Sequence, residues 1–473
     1  MKNKYNCLFI IHDVYQDDNL FPLGVGYLAA MLEKRRYSVD VYCMDIFHYT
    51  NDQLAQKLKE SEYDIIGLGF VAARFKETII ELCKVINKYK KNAWFVLGGH
   101  APSATPDYML KKVEADIAVI GEAEETIIEL MDCKVNNKDI SNIDSIAYCY
   151  ENTIVLNQRR KPIRNLDELP FPAWHLFPFE KYANSYIFPG MNQNDRISAI
   201  ESLRGCKNRC TFCYRLEKGI RTRSLESVIE EIKLLHKNYG VTTFYFTDEM
   251  FIISKNRVLK FEQLLDENNL KIKFMIDARV DVFDEEIARS LKRSGCIFVN
   301  VGCESSSQDV LNEINKNATV EQNINTLETL QKVGIPSGLN FLWGFCNDTK
   351  DSLFENVRLI KKYNQFSQLR TIRPPTPYPG CDLFYHAIDS GLLKDTDAFY
   401  DNFLNSDLIT VNFTSFPDDL CYEWLLKANS ELIHFHCDKT NNDSAKELIN
   451  AFKTLYEQKN IVFRGARHYV KNV

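Results

Sequence analysis

The 473-residue chain has no apolar run near the roughly 20 residues that span a bilayer. Its start, Met-Lys-Asn-Lys-Tyr-Asn-Cys-Leu-Phe-Ile-Ile, is too short in its apolar part for a signal peptide. No membrane association is expected, and the chain reads as cytoplasmic. An excess of positive charge is lacking too, since 58 Lys+Arg stand against 64 Asp+Glu for a formal net charge of -6. Without an overall basic field, nucleic acid is not an expected partner. Low-complexity tracts are absent, and 45% hydrophobic residues exclude a disordered or fibrous chain and suit two or three domains.

Cysteine, by contrast, is plentiful at fourteen residues. Disulfides are disfavoured in a reducing compartment, so metal binding or buried thiols must explain them. Eleven lie singly, including Cys7 and Cys43 in apparent strands and Cys83 on an apolar helical stretch. These read as small hydrophobes.

An α/β rhythm organises the chain. Tyr5 to Ile11, Val39 to Cys43, Ile65 to Phe70, Trp94 to Leu97 and Ile117 to Ile120 read as strands, with helices such as Leu23 to Leu32 and Phe75 to Ile86 between them. Five such units predict a doubly wound, Rossmann-like sheet over residues 1–130, with ligands at the carboxyl ends of its strands. Residues 131–195 read as a connector, with a hairpin at Ser145 to Tyr150 and Thr153 to Leu156 and then the irregular Leu169-Pro170-Phe171-Pro172-Ala173-Trp174. From 196 to 385 the alternation resumes, with strands near 197–203, 241–246, 272–278, 297–302, 337–343 and 369–373. Six βα units predict a partial barrel. Residues 386–473 read as a small helical region, with Leu420 to His436 and Ser444 to Gln458 amphipathic.

After the first strand of the second series comes Arg204-Gly205-Cys206-Lys207-Asn208-Arg209-Cys210-Thr211-Phe212-Cys213-Tyr214. Cys206, Cys210 and Cys213 thus converge in a CxxxCxxC loop. Three thiolates can bind three irons of a cubane cluster and leave the fourth open, whereas a closed structural zinc site wants a fourth ligand that no residue supplies at zinc-finger spacing. The spacing, the aromatic Phe212 and the position after a barrel's first strand resemble the radical S-adenosylmethionine (SAM) superfamily.

That resemblance implies a [4Fe-4S] cluster on the three cysteines and reductive cleavage of SAM to a 5′-deoxyadenosyl radical. It further implies SAM contacts at strand ends: Asp248 and Glu249 after the second strand, Arg279 after the third, and Gly302 and Glu304 in the Gly-Cys-Glu-Ser turn that ends the fourth. An arginine and carboxylates suit a zwitterionic ligand. An ordinary rim ion pair is the alternative for Asp248 and Arg279, and Asn340 and Trp343 could face the pocket or the core.

In the first domain, Pro22-Leu23-Gly24 after strand one, Gly98-Gly99-His100 after strand four and Gly121-Glu122 after strand five resemble the cobalamin-binding radical SAM enzymes. Glycines there would let a flat corrin approach the backbone, although tight βα turns need them as well. The Asp-x-His-x-x-Gly signature is missing, Asp45-Ile46-Phe47-His48 having the wrong spacing, so histidine-off cobalamin is implied. Methylthiotransferases carry three further cysteines in this region, but Cys7, Cys43 and Cys83 sit inside apolar elements.

The implied activity is cobalamin-dependent radical SAM methylation of an unactivated carbon or phosphinate centre. Cyclisation or rearrangement without methyl transfer is the alternative, and an iron–sulfur sensor the reading from another class. The expected partners are a small-molecule or peptide substrate and an electron donor such as flavodoxin or ferredoxin.

Overall fold

The computed structural model describes residues 6–14, 19–72, 75–185, 188, 190–365 and 368–459. Two units emerge. The first comprises residues 1–187, 196–200 and 215–241, and the second 188–195, 201–214 and 242–473.

In the first unit the apolar runs become parallel strands β1 (Cys7–Ile11), β2 (Val39–Cys43), β3 (Ile65–Gly69), β4 (Trp94–Gly98) and β5 (Ile117–Val119), in the order β2-β1-β3-β4-β5. Tyr5, the expected first strand residue, lies outside the described residues. Strands buried on both faces explain the continuous apolar runs, Cys7 to Ile10 being fully buried. The connecting helices include Leu23–Lys34 and Glu124–Val135, whose inner residues share one core with β1, β3 and β5.

The hairpin forms as read, β6 (Ile146–Tyr150) and β7 (Thr153–Leu156), and it does more than connect. β6 pairs antiparallel with β5 and extends the sheet to seven strands. Strand β8 (Ile197–Ile200) follows, and the helix Leu225–Tyr239 starts at the Ser224 cap and stops at Gly240, whose φ of 65° completes a left-handed C-cap.

The second unit carries parallel strands β9 (Thr243–Phe246), β10 (Lys273–Arg279), β11 (Cys296–Glu304) and β12 (Ser337–Phe341), neighbours in that order. The expected sixth strand at 369–373 does not form. It survives as a single bridge, Leu342 with Arg373. The reason is local: Ile372 N donates to Asn429 Oδ1 at 2.8 Å and Ile372 O accepts from Asn429 Nδ2 at 3.0 Å, so a side chain takes the ladder's hydrogen bonds. Pro374 and Pro375 then offer no N–H to continue. Asn429 belongs to the helix Asp418–Thr440, which with Glu447–Gln458 forms most of the helical carboxyl-terminal region. Among the described residues no helix is long and apolar enough to cross a membrane.

Candidate functional site

The CxxxCxxC loop is held from several sides within the second unit. Gly205, at φ 87°, donates its N–H to Glu249 Oε2 at 2.8 Å. Asp248 Oδ1 accepts from Ser202 N at 2.7 Å and Leu203 N at 3.1 Å, and Ser202 Oγ donates to Oδ2 at 2.5 Å. Farther along, Thr211 N donates to Ile314 O, Leu383 N donates to Thr211 O, and Asn315 Nδ2 donates to Arg209 O. Phe212 lies against Phe345, ring centroids 5.9 Å apart. Several backbone groups of this charged loop are thus satisfied by fixed neighbours, as pre-organised ligands require.

The three cysteines form no disulfide among the described residues. Asn208 turns both its backbone N–H and its amide toward Cys206 Sγ at 3.4 Å, and Arg279 Nη1 lies 3.7 Å from Cys210 Sγ. Burial raises the pKa of Cys210, while Lys316 and Arg279 oppose that rise. Among the described residues no three His, Cys, Asp or Glu side chains are grouped tightly enough to share one metal ion. A four-iron cluster asks for something else, one thiolate per iron, with hydrogen bonds and cations near the sulfurs to offset the charge. Three reduced cysteines on one braced loop, with Asn208, Arg279 and Lys316 beside them, fit that group.

Arg279 and Glu304 meet through Lys316, which the sequence did not single out. Lys316 Nζ pairs with Glu304 Oε1 at 2.8 Å, and Arg279 Nη2 donates to Lys316 O. Glu304 is a non-glycine residue at φ 65°, and a Cβ on Gly302 would fall 2.6 Å from its Oε1, so Gly302 makes room for this carboxylate. Arg279 also pairs with Asp281 at 2.8 Å. Burial works against its charge, and Asp281 with the Cys210 and Cys206 sulfurs outweighs it, raising the pKa.

Asp248 is placed differently from the expected SAM contact. It is 1% exposed, and both its oxygens serve the Ser202-Leu203 turn, while burial lifts its pKa to about 6. It braces the loop, as Glu249 does. Trp343 is fully buried, its Nε1 donating to Thr349 O, which settles it as packing.

In the first unit, the expected corrin cradle divides into open and closed parts. Gly24 and Gly98 have nothing within 4 Å of where a Cβ would stand, Gly69 lies against Gly98, and Gly69, Val71, Gly99 and His100 are exposed. Pro22 precedes the helix Leu23–Lys34, so Leu23 and Gly24 form its first turn. This ledge at the carboxyl ends of β3 and β4 fits a flat ligand. Gly99 is held by its turn, with φ 90° and Phe70 O 2.8 Å from a Cβ position. Gly121, at φ 87°, lies against Glu217 and Arg159. Glu122 is committed to structure, its oxygens 2.8 Å from Arg221 Nη1 and one of them accepting from Ile163 N.

Cys7, Cys43 and Cys83 are buried, and burial raises all three thiols, the latter two to about 12. They are buried in the core of the first unit. His48, at the end of the motif with the wrong spacing, pairs with Asp13 at 2.8 Å.

Comparison with known proteins agrees with this geometry. Residues 200–360 match the Radical SAM superfamily and residues 16–131 the B12 binding domain. An uncharacterized methyltransferase of Pyrococcus horikoshii is 31% identical over 385 residues, 79% of each chain. The anaerobic magnesium-protoporphyrin IX monomethyl ester cyclase of Rubrivivax gelatinosus is 28% identical over 391 residues, covering 80% of this chain and 68% of the cyclase. Among solved structures, the radical SAM methyltransferase TsrM of Kitasatospora setae, with cobalamin and a [4Fe-4S] cluster bound, superposes with a TM-score of 0.66 at 17% identity, over 82% of this chain and 75% of that one. That last likeness is one of fold.

Proposed function

The chain belongs to the cobalamin-dependent radical SAM methyltransferase family, and from that premise we propose that it methylates an unactivated carbon or phosphinate centre of a small molecule. The observation that carries the reading is the coexistence in one chain of a braced three-cysteine loop and an open glycine ledge on a B12-type sheet.

When bound, the cluster and the corrin supply, respectively, an electron for cleaving SAM and a carrier for the methyl group. The protein's own residues hold and shield these reagents. Cys206, Cys210 and Cys213 would hold the cluster. Arg279 and Lys316 lower the cost of negative charge on its sulfurs, and Glu304 with Arg279 presents opposite charges that suit the amino and carboxylate ends of SAM. Asp248 and Glu249 keep the loop from moving as charge changes. Gly24, Gly98 and His100 would border the corrin. No described histidine sits in the usual axial motif, which supports histidine-off binding.

An external one-electron donor, a flavodoxin or ferredoxin, completes the reaction, and fourteen cysteines with no disulfide among the described residues support a cytoplasmic setting. The 386–473 region is the part we assign to substrate selection. The relative that is a cyclase supports a second reading, radical ring closure without methyl transfer. Anaerobic incubation with SAM and reductant separates the two: methyl transfer yields S-adenosylhomocysteine together with 5′-deoxyadenosine, and cyclisation yields 5′-deoxyadenosine alone.

A further inference from the structure

Of the three residues between the first two cysteines of the CxxxCxxC loop, Asn208 alone turns inward. Lys207 and Arg209 are exposed on either side of it, while Asn208 is half-buried. Its backbone N–H and its side-chain Nδ2 both donate toward Cys206 Sγ, each at 3.4 Å. Nδ2 also lies 3.8 Å from the thioether sulfur of Met250. An amide nitrogen carries two hydrogens, so one can serve each sulfur, whereas the reverse orientation would set Oδ1 against a thiolate.

Met250 helps to fix that orientation. It is fully buried and follows Asp248 and Glu249, which hold the Ser202-Leu203 turn and the Gly205 N–H. The segment after β9 that braces the loop's backbone therefore also aims its one inward amide. Bracing alone would use that amide differently, as Asn315 does when its Nδ2 donates to Arg209 O. Asn208 spends its amide on sulfur.

Sulfur ligands share the charge of an iron–sulfur cluster, so they become more negative when it takes up an electron. An N–H aimed at such a sulfur is worth more in the reduced state than in the oxidised one, and the reduction potential rises. Arg279 Nη1, 3.7 Å from Cys210 Sγ, acts in the same sense, although Asp281 already pairs with that cation. Asn208 adds a donor without adding a charge.

We propose that the side-chain amide of Asn208 sets the reduction potential of the cluster held by Cys206, Cys210 and Cys213, raising it toward that of a mild one-electron donor. In the step concerned, one electron passes from an external donor of the flavodoxin or ferredoxin class to the cluster; the donor is oxidised by one electron and no proton moves. The proposal rests on the reading of the loop as a cluster site and names how that site is tuned.

The test is a redox titration of the anaerobically reconstituted full-length protein, followed by electron paramagnetic resonance without SAM, with iron content measured alongside. Asn208→Ala keeps the backbone donor and removes the amide. It should shift the reduction equilibrium toward the oxidised cluster about tenfold, which is 59 mV for one electron, at wild-type iron content. Asn208→Asp, which sets an acceptor and a negative charge beside the thiolate, should shift it further, and Asn208→Gln, which keeps a donor, should lie between wild type and Asn208→Ala. If Asn208→Ala holds too little iron to titrate, the order of Asn208→Gln above Asn208→Asp carries the same result. Midpoints that coincide with wild type, or iron lost from all three variants, overturn the proposal and leave the cluster reading standing. Wild-type protein that takes up no four-iron cluster overturns both.

Discussion

Lys316 Nζ lies 2.8 Å from Glu304 Oε1, the two side chains being 4% and 12% exposed. A desolvated pair in this position links a strand end to the loop that touches the cluster cysteines, since Ile314 O and Asn315 Nδ2 of the same loop hold Thr211 and Arg209.

Lys316→Met should therefore do more harm than loss of one surface ion pair. Removing one member of a buried pair leaves the other charge uncompensated, at about 3–5 kcal/mol. Urea unfolding of the cluster-free protein should show a loss of that order, and the reconstituted variant should hold less iron. An unchanged midpoint would mean that the pair is solvated.

Asp248→Ala removes three hydrogen bonds from the Ser202-Leu203 turn and leaves buried N–H groups without an acceptor. At about 1–3 kcal/mol for each orphaned group, a loss of roughly 3 kcal/mol is expected, with weaker iron retention. Asp248→Asn should recover part of both. If Asp248 instead served only SAM, the substitutions would change SAM affinity and leave stability untouched.

Asp45 gives a pH signature. It accepts from Tyr182 Oη at 2.9 Å, and burial lifts its pKa from 3.8 to about 7. The folded chain therefore keeps this proton at pH values where the unfolded chain has lost it. Its contribution is full below about pH 4 and is lost as pH rises to 7, with a slope of at most about 1.4 kcal/mol per pH unit. Denaturant midpoints between pH 5 and 8 should fall less steeply for Asp45→Asn than for wild type. Parallel curves would contradict the assignment.

Gly98 and Gly99 should part company. Gly98→Ala meets open space, so stability should stay within about 0.5 kcal/mol while corrin affinity falls several-fold, read by absorbance after gel filtration. Gly99→Ala forces a side chain onto φ 90° and against Phe70 O, so it should cost about 1–3 kcal/mol even without corrin. Unchanged corrin affinity in Gly98→Ala would place the ligand elsewhere.

Much of this was legible in the chain because strands buried on two faces leave continuous apolar runs, and because three cysteines at fixed spacing are rare. The strand Val39–Cys43 and the helix Leu23–Lys34 lie where their patterns put them. What stayed hidden depends on partners distant in sequence. The expected strand at 369–373 is displaced by Asn429, 57 residues away. Glu122 looks like a ligand residue until Arg221 is seen beside it, 99 residues on. Lys316 is an unremarkable loop lysine in sequence, and only folding sets it against Glu304 and near Cys210.

The central claim is that this chain joins SAM cleavage at a three-cysteine cluster to methyl transfer through cobalamin. Its most direct test is to quantify 5′-deoxyadenosine and S-adenosylhomocysteine in one anaerobic, reduced mixture of SAM with protein loaded with cluster and corrin, beside a Cys206, Cys210, Cys213→Ala triple variant. The account predicts both products from wild type and no 5′-deoxyadenosine from the variant. Formation of 5′-deoxyadenosine without S-adenosylhomocysteine by the loaded wild type would contradict it.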